Sequence, residues 1–161
     1  MSDTTKKHIL LGIGNDLLGD DGVGPYVARN ITGKRWRCIN GGILPENFIK
    51  PILSSQADLI ILVDAVEMDY PVGTIRIIPT EYIRDIGQGS HQIPLTYLIN
   101  RLSSGVARVI LIGIQPQLLE PDTDLSPAVK KAADLLINIL ESGDIKNLTC
   151  YKPATERTPE E

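Results

Sequence analysis

The run Ile9-Leu10-Leu11, continued by Gly12-Ile13-Gly14-Asn15-Asp16-Leu17-Leu18-Gly19-Asp20-Asp21-Gly22-Val23-Gly24-Pro25, constrains this chain more than any other stretch. It reads as a buried strand that stops at Gly14, a tight loop carrying three aspartates, and a helix entered through Gly24 and Pro25. Proline suits the first position of a helix, where its missing N–H would have found no intrahelical partner. Two glycines closing a strand match the opening half of a dinucleotide fingerprint. The third glycine would fall at position 17, which is Leu17. A phosphate also needs bare N–H groups and positive potential, whereas this loop aims carboxylates at the same place. The stretch suits cation binding or acid/base chemistry and disfavours a nucleotide-binding module.

At 161 residues and 42% hydrophobic content, the chain can bury one core and is short for two, so one domain over residues 1–161 is expected. Its core runs from about 7 to 141. The polar tail 142–161, with Pro153 and Pro159, is expected to fray. The formal charge of -4 offers no broad attraction to nucleic acid or to an acidic membrane surface. Cys38 and Cys150 form no CxxC pair, which argues against a disulfide framework or a structural zinc site. The polar start and the glycine at position 12 leave no signal-peptide core and no membrane span, so a cytosolic protein, taken as a monomer, is expected.

Strands are predicted at about 7–14, 35–40, 59–63, 74–78 and 107–112. Helices are predicted at about 25–31, 45–53, 95–102 and 128–140. Leu95, Leu98, Ile99 and Leu102 share one helical side, as do Val129, Ala132, Ala133, Leu136, Ile137 and Leu140. Apolar strands interleaved with helices argue for a three-layer αβα sandwich on a mostly parallel mixed sheet of about five strands. The strand at 74–78 follows its predecessor too closely for a helical crossover, so at least one antiparallel member is expected. Ligands in such folds gather beyond the carboxyl ends of the parallel strands. That rule selects the loop after Gly14, the turn at Gly41-Gly42, Asp64, and the loop after Gly113.

Three groups can meet at that end: the Asp20/Asp21 pair, Asp64, and His91 from a glycine-rich loop. Two carboxylates and an imidazole make a sensible first shell for a borderline divalent metal such as nickel, zinc, iron or cobalt. Adjacent side chains at 20 and 21 should face different ways, one binding while the other caps backbone N–H groups. The blander alternatives are a turn aspartate, a strand-end cap and a surface histidine. Asp16 reads as a turn residue making local backbone bonds, and His8, at the opposite end of the sheet, as inert.

Gly12 to Gly24, Gly41-Gly42-Ile43-Leu44-Pro45-Glu46-Asn47, Leu62-Val63-Asp64-Ala65, Ser90-His91-Gln92-Ile93-Pro94-Leu95 and Ile112-Gly113-Ile114-Gln115-Pro116 together resemble a known family. It is that of the nickel-dependent hydrogenase maturation endopeptidases, which trim the C-terminus of the large subunit of NiFe hydrogenases. The pattern is most similar to the branch serving the formate-hydrogenlyase type of hydrogenase. The resemblance implies that Asp21, Asp64 and His91 are the metal-contacting and catalytic positions. It also implies that the nickel is supplied by the precursor of the hydrogenase large subunit, which is the partner. A carboxylate, Asp21 or Asp64 ahead of Asp20, would serve as general base. The rivals are a docking chaperone that senses nickel occupancy without cutting, and a free-standing metallo-aminopeptidase or amidohydrolase with a resident metal.

Overall fold

The computed structural model describes residues 8–86, 94–117 and 119–161. Five strands, β1 (His8–Ile13), β2 (Trp36–Gly42), β3 (Leu59–Ala65), β4 (Ile75–Ile78) and β5 (Arg108–Ile114), form one sheet in the order β2-β1-β3-β5-β4. The first three neighbouring pairs are parallel, and β4 runs antiparallel to β5 on the edge. The antiparallel member is therefore the strand whose connection was too short for a crossover. Helices α1 (Val23–Asn30), α2 (Ile49–Ser54), α3 (Leu95–Leu102) and α4 (Pro127–Ser142) cover the sheet. The αβα sandwich follows as expected.

Alternation along the strands divides the core. Leu11, Leu62 and Leu111 stand at one register level and face α2 and α3. Leu10, Ile61 and Ile110, one residue earlier, face α1 and α4. Each such side chain taken fully from water stabilises by about 1.5–3 kcal/mol. The apolar faces expected of α3 and α4 are the faces they bury.

Several boundaries differ from expectation, and β2 runs on through Gly41 to Gly42. Strand β3 continues through Asp64 to Ala65, and β5 through Gly113 to Ile114, with Asp64 paired opposite Gly113. Asp64 therefore lies within the ladder rather than in the loop after it. The segment starting at Pro45 forms a 3-10 turn (Pro45–Phe48) and then the short α2, instead of one helix. The tail does not fray. Ile77 and Cys150 form a parallel bridge, Tyr151 is buried, and Arg157 donates to the carbonyl oxygens of Met68 and Asp69. The Arg157 guanidinium also lies 3.5 Å from the Tyr70 ring centroid. Composition missed this because one buried tyrosine and one arginine, not the average polarity, fasten the segment.

The helix α1 meets the sheet backbone to backbone. A Cβ on Gly24 would lie 2.3 Å from the Ile13 carbonyl oxygen and 2.4 Å from that of Val63, and one on Gly12 would lie 2.2 Å from the Gly24 oxygen. At the far end of β1, His8 packs edge-on against Trp36, with ring centroids 5.2 Å apart. Burial, then the charge of Arg35, hold its imidazole below the ordinary value of 6.5, against a smaller opposing pull from Asp58.

Gly24→Ala is expected to cost about 3 kcal/mol, the upper end of ordinary overpacking, because the methyl meets backbone that cannot rotate away. Urea unfolding should show the midpoint fall with the slope unchanged. Because folding depresses the His8 pKa, the stability tied to its neutral form is complete above pH 6.5 and is lost as pH falls through the folded value. An NMR titration should give a His8 midpoint below 6.5 in the folded protein.

Candidate active site

The loop after β1 leads into a 3-10 turn, Gly19–Gly22, whose four residues are all buried. Gly14, at φ +137°, admits the turn, since a Cβ there would stand 1.8 Å from the Asp21 carbonyl oxygen. Asp21 is 1% exposed and its Oδ2 accepts the Asn15 N–H at 2.7 Å. Asp20 has no exposure and faces elsewhere. Its Oδ1 accepts the Ser126 N–H at 2.6 Å, and its Oδ2 accepts the Gln117 N–H at 2.8 Å and the Ser126 hydroxyl at 2.9 Å. The two neighbouring aspartates face different ways, as expected, with one difference in what the capping one holds. Asp20 caps backbone N–H groups at Gln117 and Ser126, 97 and 106 residues on, rather than the helix that it precedes.

Asp64 is fully buried near the carboxyl end of the central strand β3. Strand alternation sets it on the side of Ile60 and Leu62, the face covered by α2 and α3. The Gly19–Gly22 turn packs on β3, and Gly24 touches the Val63 carbonyl, so Asp21 and Asp64 share one sheet end. Burying two carboxylates there carries a large desolvation penalty unless donors or a cation meet them. His91, the third residue of the expected set, lies outside the described residues. Among the described residues no group of three His, Cys, Asp or Glu side chains forms a metal-holding cluster.

The loop following Asp64 is held by side chains that sequence reasoning did not single out for a role. Buried Gln115, just past β5, accepts the Met68 N–H at 2.8 Å and the Tyr70 N–H at 3.3 Å through Oε1. Its Nε2 donates to Glu67 at 2.8 Å. The signal was present in the Gly113-Ile114-Gln115-Pro116 motif, but a lone glutamine carries no periodicity to reveal its partners.

Two minor roles change. Asn15, not Asp16, makes the local turn bond, accepting the Leu17 N–H at 2.9 Å. Asp16 pairs instead with Arg29 at 2.9 Å. At Gly41-Gly42, at the end of β2, a Cβ on Gly41 would lie 2.8 Å from the Leu11 side chain, and the Gly42 N–H goes to the Asn40 side chain at 3.1 Å. The Gly42 carbonyl accepts the Gly14 N–H at 2.9 Å, which ties the loops after β1 and β2 together. A cavity of about 370 Å³ between α2 and α3, lined by Glu46, Asn47, Lys50, Tyr97 and Arg101, opens on the face toward which Asp64 is directed. No helix among the described residues is long and apolar enough to cross a membrane.

Comparison with known proteins matches the sequence and the fold to one family. The family model described as HycI, hydrogenase maturation protease, matches residues 24–143. The hydrogenase 3 maturation protease of Escherichia coli strain K12 is 34% identical over 137 residues, covering 83% of this chain and 88% of the relative. A putative hydrogenase maturation protease of Methanocaldococcus jannaschii is 32% identical over 147 residues, covering 84% and 86%. The crystal structure of a hydrogenase 3 maturation protease superposes with a TM-score of 0.84 at 30% identity, over 94% of this chain and 99% of the other. That of a NiFe hydrogenase maturation protease from Thermococcus kodakarensis gives 0.74 at 25% identity, over 85% and 91%. With the model spanning most of the domain and relatives above 30% identity across it, the chain belongs to the hydrogenase maturation protease family.

Proposed function

We propose that this chain is an endopeptidase that removes a C-terminal peptide from the nickel-loaded precursor of a NiFe hydrogenase large subunit. The observation that carries this reading is the burial of Asp21 and Asp64 at one end of the parallel sheet, in a chain of this family. The family supports the chemistry, and the two carboxylates support the mode of recognition.

Asp21, Asp64 and His91 engage nickel that arrives bound in the precursor. Two carboxylate oxygens and one imidazole nitrogen are donors that a borderline divalent ion accepts. A site of this kind favours a loaded precursor, because a divalent ion brings positive charge beside two buried carboxylates. The scissile peptide is thereby positioned, and a water adds to its carbonyl while Asp21 or Asp64 takes the proton. The leaving amine receives a proton in turn, which restores the carboxylate. Glu67 and Gln115 keep the loop after Asp64 in a fixed path, so that the strand end does not move when a large protein docks.

Incubation with nickel-loaded and nickel-free precursor, followed by intact-mass measurement, should show loss of a C-terminal peptide from the loaded form alone. Unchanged mass in both would overturn the assignment and favour a sensing or docking role without cleavage. Asp64→Asn and His91→Ala are expected to slow processing at least 100-fold while circular dichroism stays that of the wild type. Full processing by both variants would remove these residues from the mechanism.

A further inference from the structure

Asp20 is a fully buried carboxylate that the proposed chemistry leaves without a task. A buried carboxylate is an expensive residue to keep, and capping one turn of α4 does not require it. Helix α4 is seated on the sheet by Val129, Ala133, Leu136 and Leu140, and its first turn is already closed by the Lys130 N–H on the Ser126 carbonyl at 2.9 Å. What Asp20 joins is more particular. Through three donors among the described residues it fastens the turn carrying Asp21 to Gln117, two residues beyond Gln115, and to Ser126 at the head of α4. A fourth bond, from the Asp122 N–H to the Leu17 carbonyl at 2.9 Å, runs alongside.

We propose that Asp20 is a positioning residue. By locking the Gly19–Gly22 turn to the segment between β5 and α4, it fixes the direction in which the adjacent Asp21 presents its carboxylate to the substrate. This rests on the proposed role of Asp21 and adds to it the residue that sets its geometry. Adjacent residues of a 3-10 turn stand 120° apart around its axis, so the turn cannot rotate about Asp20's anchored side without swinging Asp21. Asn15, which donates to Asp21, lies on the same loop and reports the setting. A general-base role for Asp20 does not fit its surroundings, since two backbone N–H groups and a hydroxyl converge on its oxygens.

The donor pattern dictates the informative substitution. Both Asp20 oxygens receive backbone N–H groups, so an amide in its place must turn its NH2 toward a donor whichever way it flips. Asp20→Asn is therefore expected to lower kcat for precursor processing at least 30-fold, with KM within threefold of wild type. Hydrogen exchange at the Asn15 amide should speed up at least tenfold, measured well below the melting temperature. Ser126→Ala removes the hydroxyl and spares both backbone donors, so it should lower kcat three- to tenfold. It is the decisive variant if Asp20→Asn does not fold.

A lowered melting temperature with wild-type kcat and wild-type Asn15 protection would overturn the proposal, as would wild-type kcat in Ser126→Ala. If the wild-type protein processes no precursor at all, the proposed function fails. The Asn15 exchange measurement then still decides whether Asp20 holds the turn.

Discussion

The rest of the structure depends on the contact of Gly24 with the carbonyl oxygens of Ile13 and Val63. A helix ordinarily sits on a sheet with side chains between them. Here the first turn of α1 rests directly on the ends of β1 and β3, and Gly12 accepts the approach from below. Two consequences follow from this single close approach. The loop between Gly14 and Gly24 turns outward at Asp16 and Leu17, which are exposed, and returns to the sheet end as the 3-10 turn Gly19–Gly22, whose four residues are all buried. The second consequence is that a carboxylate on that turn lies over the central strand, near the position where β3 carries Asp64.

Holding acidic groups in such a place requires donors, and the chain draws them from remote segments. Among the described residues Asp20 takes three, from Gln117 and Ser126. Hydrogen bonds to an ionised group contribute roughly 1.5–3 kcal/mol each against the cost of removing the carboxylate from water. On the other side of β5, Gln115 and Arg157 treat the loop after Asp64 in the same manner. Gln115 accepts the N–H groups of Met68 and Tyr70, while Arg157 donates to the carbonyls of Met68 and Asp69. Asp69 is held at φ +60°, a left-handed conformation that costs a non-glycine residue about 1–2 kcal/mol. The tail is thus part of the scaffold of the site end, and its arginine opposes a strain introduced only a few residues from Asp64.

What could be read from sequence and what could not divide along a physical line. Periodicity reports burial, so the apolar faces of α3 and α4, the five strands and the antiparallel β4 were all legible. The place of Asp64 near a strand end was legible as well, because a carboxylate after Leu62-Val63 stands out against an apolar run. Cross-chain hydrogen bonds leave no such trace. Nothing in the composition of residues 115–126 marks Gln117 or Ser126 as partners of Asp20, and Ser126 reads as an ordinary helix start. Tyr151 and Arg157 were hidden in the same way, since two side chains fasten a tail whose average polarity suggests solvent. The roles of Asn15 and Asp16 were exchanged for a local reason: both tolerate turns, and only the position of Arg29 on α1 decides which of them pairs with it.

The adjacent aspartates carry the most specific lesson about the site. Neighbours in a 3-10 turn diverge by a third of a revolution, so one sequence position decides whether a carboxylate looks toward the segment before α4 or toward Asn15. Exchanging the two roles is not a matter of small adjustment. Rotating the turn to bring Asp20 to the place of Asp21 would strip the Gln117 and Ser126 donors from it and thrust Asp21 away from Asn15. The backbone cannot follow, because Gly14 and Gly24 are already in van der Waals contact with the turn and with β3. The pair therefore behaves as one rigid unit, in which a carboxylate fixed by donors sets the direction of its neighbour, and the glycines on either side remove the freedom that would let the two trade places.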